Sequence, residues 1–178
     1  VLDIPVGLID NAWGGSACEA WIRRDLLEKT AVAKPYVDQW KKTEAEFDPT
    51  QAMVEYEARM VKWKEKAKKL RAEKKGVQKK PRKPRNPLTG QHRAANLYNG
   101  VLKPIIGFGI KGAIWYQGES NNGEGMLYHE KMKALIAGWR SVWKNPNLPF
   151  YFVQLAPYRY NRPEALPGIW QAQLETLK

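Results

Sequence analysis

The chain has 178 residues, 43% of them apolar, with eight Trp, eight Tyr and a formal charge of +12. That length and apolar content suffice for one globular domain with a real core and exclude a disordered chain. A single cysteine excludes an internal disulfide and a cysteine-based zinc site, two separated histidines argue against a histidine metal centre, and no apolar run approaches the roughly 18 residues of a membrane span.

The opening residues, VLDIPVGLID, have no initiator Met, no basic n-region and no small-residue cleavage site. They read as the interior of a longer product rather than as a signal peptide. IPVGLI (4–9) is expected to be a short apolar strand. It leads through Gly14-Gly15-Ser16 into EAWIRRDLL (19–27), the opening of a helix. Backbone N–H groups at such a helix start, uncluttered by Cβ atoms, form an anion site. Neither a P-loop nor a G-x-G-x-x-G pattern is present. Two readings remain: a tight strand-to-helix turn, or an oxyanion donor in which the Gly15 N–H faces charge developing on a carbonyl oxygen. Cys18 reads as a small buried apolar residue.

From about residue 36 to 93 the pattern changes. Val37, Trp40 and Phe47, then Met53, Tyr56, Met60, Trp63, Ala67 and Leu70, recur at mostly helical spacing. Asp48-Pro49 divides them into two helices, with Asp48 as N-cap of the second. KKGVQKKPRKPRNPLTGQHR then reads as an exposed, extended linker. Between Arg59 and Arg93 stand fifteen Lys and Arg against Glu65 and Glu73, so this insert carries +13 and the remainder −1. Such a run is first of all a solvated face; polyanion or nucleic-acid binding by counterion release is the alternative. No helix-turn-helix, RRM or zinc signature accompanies it.

Beyond the insert, IKGAIWY (110–116) and LPFYFVQLA (148–156) read as buried strands around a helix, MLYHEKMKALIAGWRSVW (126–143). The chain closes inside the helical pattern GIWQAQLETL, which is expected to continue beyond Lys178. Strands separated by helices imply a parallel sheet covered on both faces, with functional groups at the carboxyl ends of its strands. WYQGESN (115–121) lies at such an end. A Gln amide there is a donor that stays neutral at any pH, and Glu119 accepts several hydrogen bonds. Ser120 and Asn121 suit the following turn. Plain strand termination is the competing reading. Trp139 and Trp143, at helical spacing, read as core. Trp21, beside the glycine turn, is the aromatic residue expected to touch a ligand, and Arg159 or Arg162 is placed to meet a carboxylated sugar.

Together, IPVGLIDNAWGGSACEAW, LYNGVLKPIIGFGIKGAIWYQGESN and FYFVQLA resemble the sialate O-acetylesterase family of SGNH-type hydrolases, over residues 1–28 and 94–178. The resemblance implies an SGNH-like three-layer α/β/α sandwich with a parallel sheet, forming one partial hydrolase domain interrupted by the basic helical insert. It implies serine-ester hydrolysis of O-acetyl groups on sugars, with no metal or cofactor, outside the cytoplasm. The family's oxyanion hole maps onto Gly15 N–H, within Gly14-Gly15, and Gln117, with Gly118, Glu119 and Asn121 supporting. The family's Gly-Gln-Ser-Asn nucleophile and Asp-x-x-His base have no counterpart among these 178 residues. The expectation is therefore a central piece of an esterase, inactive alone. A non-catalytic carbohydrate-binding module using the same crevice is the competing possibility.

Overall fold

In a computed structural model of the chain, residues 3–160 and 162–178 are described. In chain order, α1 spans Arg24–Lys29, α2 Lys34–Glu46, α3 Pro49–Ala72, β1 Ala113–Trp115, α4 Met126–Val142, β2 Phe150–Phe152 and α5 Ala165–Glu175. They fall into two compact units, Val1–Asp38 with Thr89–Lys178, and Gln39–Leu88.

The first unit is built on α4. Tyr128, Lys131, Met132, Leu135 and Gly138 recur at three- and four-residue spacing and form its buried face. The crossover through α4 makes β1 and β2 parallel, in the register Ala113↔Phe150, Ile114↔Tyr151, Trp115↔Phe152. Alternation along β1 turns Trp115 inward, where it meets Trp139 of α4 edge-on at 6.0 Å; Phe150 lies 5.5 Å from the same ring. Trp139 and Trp143 are half-buried in this cluster. The opposite face of the sheet is bare: Ile114 is 79% and Tyr151 69% exposed. Mixed α/β architecture is thus present, with one helical layer over a two-stranded sheet among the described residues. The sheet does not extend here to a full three-layer sandwich.

Two expected elements differ. IPVGLI (4–9) forms no strand, and Ile4, Val6, Leu8 and Ile9 are all at least half exposed. Its apolar content suits a sheet, but no described strand offers it a ladder, and without one its backbone donors remain with water. The helix expected over 19–27 is a 3-10 turn, Cys18–Trp21, followed by the separate α1, because Ile22 and Arg23 take extended backbone between them.

In the second unit, the break expected at Asp48-Pro49 is present. The Asp48 carboxylate accepts from Thr50 N at 2.7 Å and Gln51 N at 3.1 Å, with Pro49 at the first helical position. The apolar stripe Met53, Tyr56, Met60, Trp63, Ala67 and Leu70 is the less exposed face of α3. The extended segment after α3 returns along it: the Trp63 indole N–H donates to Gln78 O at 2.8 Å, and Lys66 reaches Gln78 Oε1 at 3.3 Å.

Candidate functional site

The Gly-Gly turn and the Gln-Gly-Glu-Ser-Asn turn are joined by hydrogen bonds across about a hundred residues of sequence. Gln117 Nε2 donates to Ser16 O at 3.0 Å, Ser120 Oγ donates to Gly15 O at 3.1 Å, and Cys18 N donates to Asn121 Oδ1 at 2.9 Å. Gly15 has φ +67°, the left-handed region where a side chain is strained. It is exposed, and among the described residues no hydrogen bond engages its N–H. The turn is buttressed from behind. Ala17 N donates to Gln91 O at 3.1 Å and Ala95 N donates to Glu19 O at 2.9 Å, docking the chain after the basic linker onto this loop.

Gln117 is 7% exposed and its amide is fully engaged. Besides Ser16 O, Nε2 donates to Asn121 Oδ1 at 2.6 Å, while the Tyr128 hydroxyl lies 3.0 Å from both Gln117 O and Oε1. These contacts also fix which end of the amide is which, since a flipped Gln117 would set two oxygens against its oxygen. Gly118 is closely packed: a Cβ there would stand 3.2 Å from Ile169 Cδ1 and 3.3 Å from Leu155, so both side chains would have to yield slightly. Glu119 is exposed, and its charge beside the Tyr116 phenol pushes that hydroxyl's pKa up.

Below this lies a buried charged cluster that the sequence did not single out. Lys131, 1% exposed, donates to Glu19 Oε2 at 2.9 Å and Glu124 Oε1 at 2.8 Å, and its ammonium sits 4.5 Å from the centre of the Tyr36 ring. Asn121 Nδ2 donates to the same two carboxylates, at 2.9 and 3.1 Å. Desolvation alone would lower the Lys131 pKa; Glu19 and then Glu124 more than offset it, and the net shift is upward. Burial pushes up the Cys18 thiol and the Tyr128 hydroxyl. One signal of this cluster was available, a lysine at an apolar-face position of a helix.

Trp21 is corrected as a ligand-facing residue. It is 3% exposed, packs edge-on against Trp115 at 6.0 Å, and its indole N–H donates to Ser16 Oγ at 2.9 Å. Adjacency to the glycine turn placed it behind the loop. Arg162 lies flat over Gly123, where a Cβ would collide with its guanidinium, and donates to Asn122 Oδ1 at 3.2 Å. Arg159 is exposed on the same segment, between Tyr158 and Tyr160, whose rings meet edge-on at 5.3 Å. Asn161 lies outside the described residues. No group of three or more His, Cys, Asp or Glu suited to a metal occurs among the described residues, and no helix there is long and apolar enough to cross a membrane.

A hydrogen-bonded Gln amide joined to a turn whose glycine N–H is unengaged among the described residues, at the carboxyl end of a parallel strand, is an arrangement suited to holding a developing oxyanion. Residues 90–177 match the family described as carbohydrate esterase, sialic acid-specific acetylesterase. The chain is 28% identical to the sialate O-acetylesterase of Rattus norvegicus over 165 residues, covering 88% of this chain and 27% of that protein. Identity to the sialate O-acetylesterase of Homo sapiens is 27% over 163 residues, covering 87% and 23%. For that of Mus musculus it is 28% over 170 residues, covering 88% and 27%. The chain thus spans about a quarter of the length of the curated relatives it matches. No solved structure matches it. Residues 90–177 thus carry the sialic acid-specific acetylesterase match, and the likeness to sialate O-acetylesterases runs over most of the chain.

Proposed function

We propose that this chain supplies the oxyanion-binding part of a serine esterase that removes acetyl groups from sugars. The observation that carries the reading is the direct bonding of the two motif turns, Gln117 Nε2 to Ser16 O and Ser120 Oγ to Gly15 O. A serine and a histidine base contributed by segments outside these 178 residues complete the chemistry. The serine oxygen adds to the acetyl carbonyl and the sugar hydroxyl departs with the proton; water then releases acetate. The Gly15 N–H donates to the oxyanion directly. Gln117 joins it by exchanging its bond to Ser16 O, a neutral acceptor, for a charge-assisted bond to the oxyanion. The exposed Tyr116 and Tyr158, with Arg159 and Arg162, border the same edge and suit a sugar carrying a carboxylate. Action on such a substrate fits a periplasmic or secreted location.

In the complete protein, Gln117→Ala lowers kcat on an aryl acetate about 10²-fold or more. An unchanged rate refutes the donor role. The 178-residue chain by itself is expected to show no esterase turnover above background. The residues from about 36 to 93 form an insert within the hydrolase domain. A second reading concerns that insert, because the Trp63–Gln78 contact draws the basic linker alongside the lysines of α3. Polyanion binding there weakens steeply between about 50 and 200 mM salt, as counterion release requires. Salt-insensitive retention on an anionic polymer excludes it.

A further inference from the structure

We infer that Lys131 is a positioning residue for the oxyanion site: through Glu19, Glu124 and Asn121 it fixes the amide of Gln117 so that only one N–H of that amide can be given to substrate. The inference rests on the acyl-transfer reading above.

Each link in the relay has its polarity forced by the one before. Lys131 Nζ holds Glu19 Oε2 and Glu124 Oε1 together. The two carboxylates belong to different segments, the turn Cys18–Trp21 and the loop preceding α4. Without the ammonium, two carboxylates would face one another in a site with little access to water, and the loops that carry them would separate. With it, they present two acceptors to Asn121. The Asn121 Nδ2 must therefore face them, and its Oδ1 must face the other way, toward Cys18 N and Gln117 Nε2. Turning Asn121 over would aim its oxygen at both carboxylates. The 2.6 Å bond from Gln117 to Asn121 is thus anchored by a charge cluster, whereas the 3.0 Å bond to Ser16 O is to a neutral backbone carbonyl that no charge anchors. Of the two N–H groups of Gln117, one is fixed and one is exchangeable.

Three features set this apart from a structural ion pair. The cluster joins the two motif turns, with Tyr36 packed beside it: Glu19 follows Gly14-Gly15 and Glu124 follows Gln117-Gly118-Glu119. It ends on the amide assigned to the oxyanion. The Tyr128 hydroxyl, one turn of α4 before Lys131, closes the other end of the same amide at Oε1. A single helix therefore holds Gln117 from both sides, by Tyr128 directly and by Lys131 through Asn121.

The test has two readouts. In the complete esterase, Lys131→Met and Asn121→Ser lower kcat on an aryl acetate about 10²-fold, while KM moves by less than about threefold. Lys133→Met, exposed on the same helix and paired among the described residues with Glu130, leaves kcat unchanged. In the 178-residue chain, the side-chain amide protons of Gln117 form a shifted, slowly exchanging pair by nuclear magnetic resonance. In Asn121→Ser the proton that faces position 121 loses its acceptor and its shift moves, while the one bonded to Ser16 O stays in place. Should Lys131→Met not fold, Asn121→Ser decides, because it leaves the ion pairs of Lys131 in place. Wild-type kcat in the folded variants, or an unmoved Gln117 pair in Asn121→Ser, overturns the positioning role alone. Absence of turnover in the complete wild-type protein overturns the acyl-transfer reading and the role that rests on it.

Discussion

In the first unit Lys131 is 1% exposed and bonded to Glu19 and Glu124 at 2.9 and 2.8 Å; along α3, Lys62, Lys64, Lys66, Lys68 and Lys69 all face water. The +13 insert dominates the net charge, yet its cations are solvated and each is worth little to folding. The single buried ammonium has given up its hydration and depends on two carboxylates and an aromatic face to replace it. A charge count therefore points to the wrong region. What distinguishes a cation with a task is the set of groups it organises.

The comparison breaks most sharply under substitution. Lys131→Met leaves Glu19 and Glu124 uncompensated and is expected to cost about 3–5 kcal/mol in urea unfolding. A cost below about 1 kcal/mol would place Lys131 with the solvated lysines. Alkaline titration sharpens the same contrast. Lys131, Cys18 and Tyr128 all have pKa values raised in the folded state, so the folded chain binds more protons than the unfolded one above their unfolded values. Their stabilisation is complete below about pH 8.5, and stability falls progressively above it. Thermal unfolding between pH 7 and 11 measures this, and a flat profile contradicts it. Lys131→Met removes part of the slope. In the second unit, Asp48→Ala removes the cap of α3 and costs about 1 kcal/mol, read as lost helicity in the far ultraviolet. Smallest of all, Lys62→Gln or Lys68→Gln shifts stability by no more than about 0.5 kcal/mol.

How much of this was legible follows the range of each determinant. The Asp48 cap and the Pro49 start are local, so sequence spacing suffices for them. The face of α4 and the short strands follow from periodicity, which fixes element type better than element ends: the expected 110–116 and 148–156 reduce to Ala113–Trp115 and Phe150–Phe152. IPVGLI (4–9) fails as a strand because pairing needs a partner that lies elsewhere in space, whatever the side chains prefer. Trp21 was misplaced for a related reason, since proximity along the chain does not say on which side of a loop a ring will pack. The two motif turns were recognisable separately, and their polar residues were expected at strand ends. That Gln117 spends both N–H groups inside the protein depends on Asn121, four residues on, and on Ser16, 101 residues before it, a pairing that no linear spacing encodes. Glu19 and Lys131, 112 residues apart, were invisible as a pair.

The bare side of the two-stranded sheet has a consequence for handling the molecule. Ile114 and Tyr151 stand side by side on it, Val153 lies just beyond, and neither β1 nor β2 has an outer neighbour among the described residues. Free ladder groups beside uncovered apolar side chains are a template for self-association. Expressed by itself, the chain should clump through that sheet as concentration rises. Added denaturant-free salt would screen the repulsion among its excess positive charges and hasten the clumping.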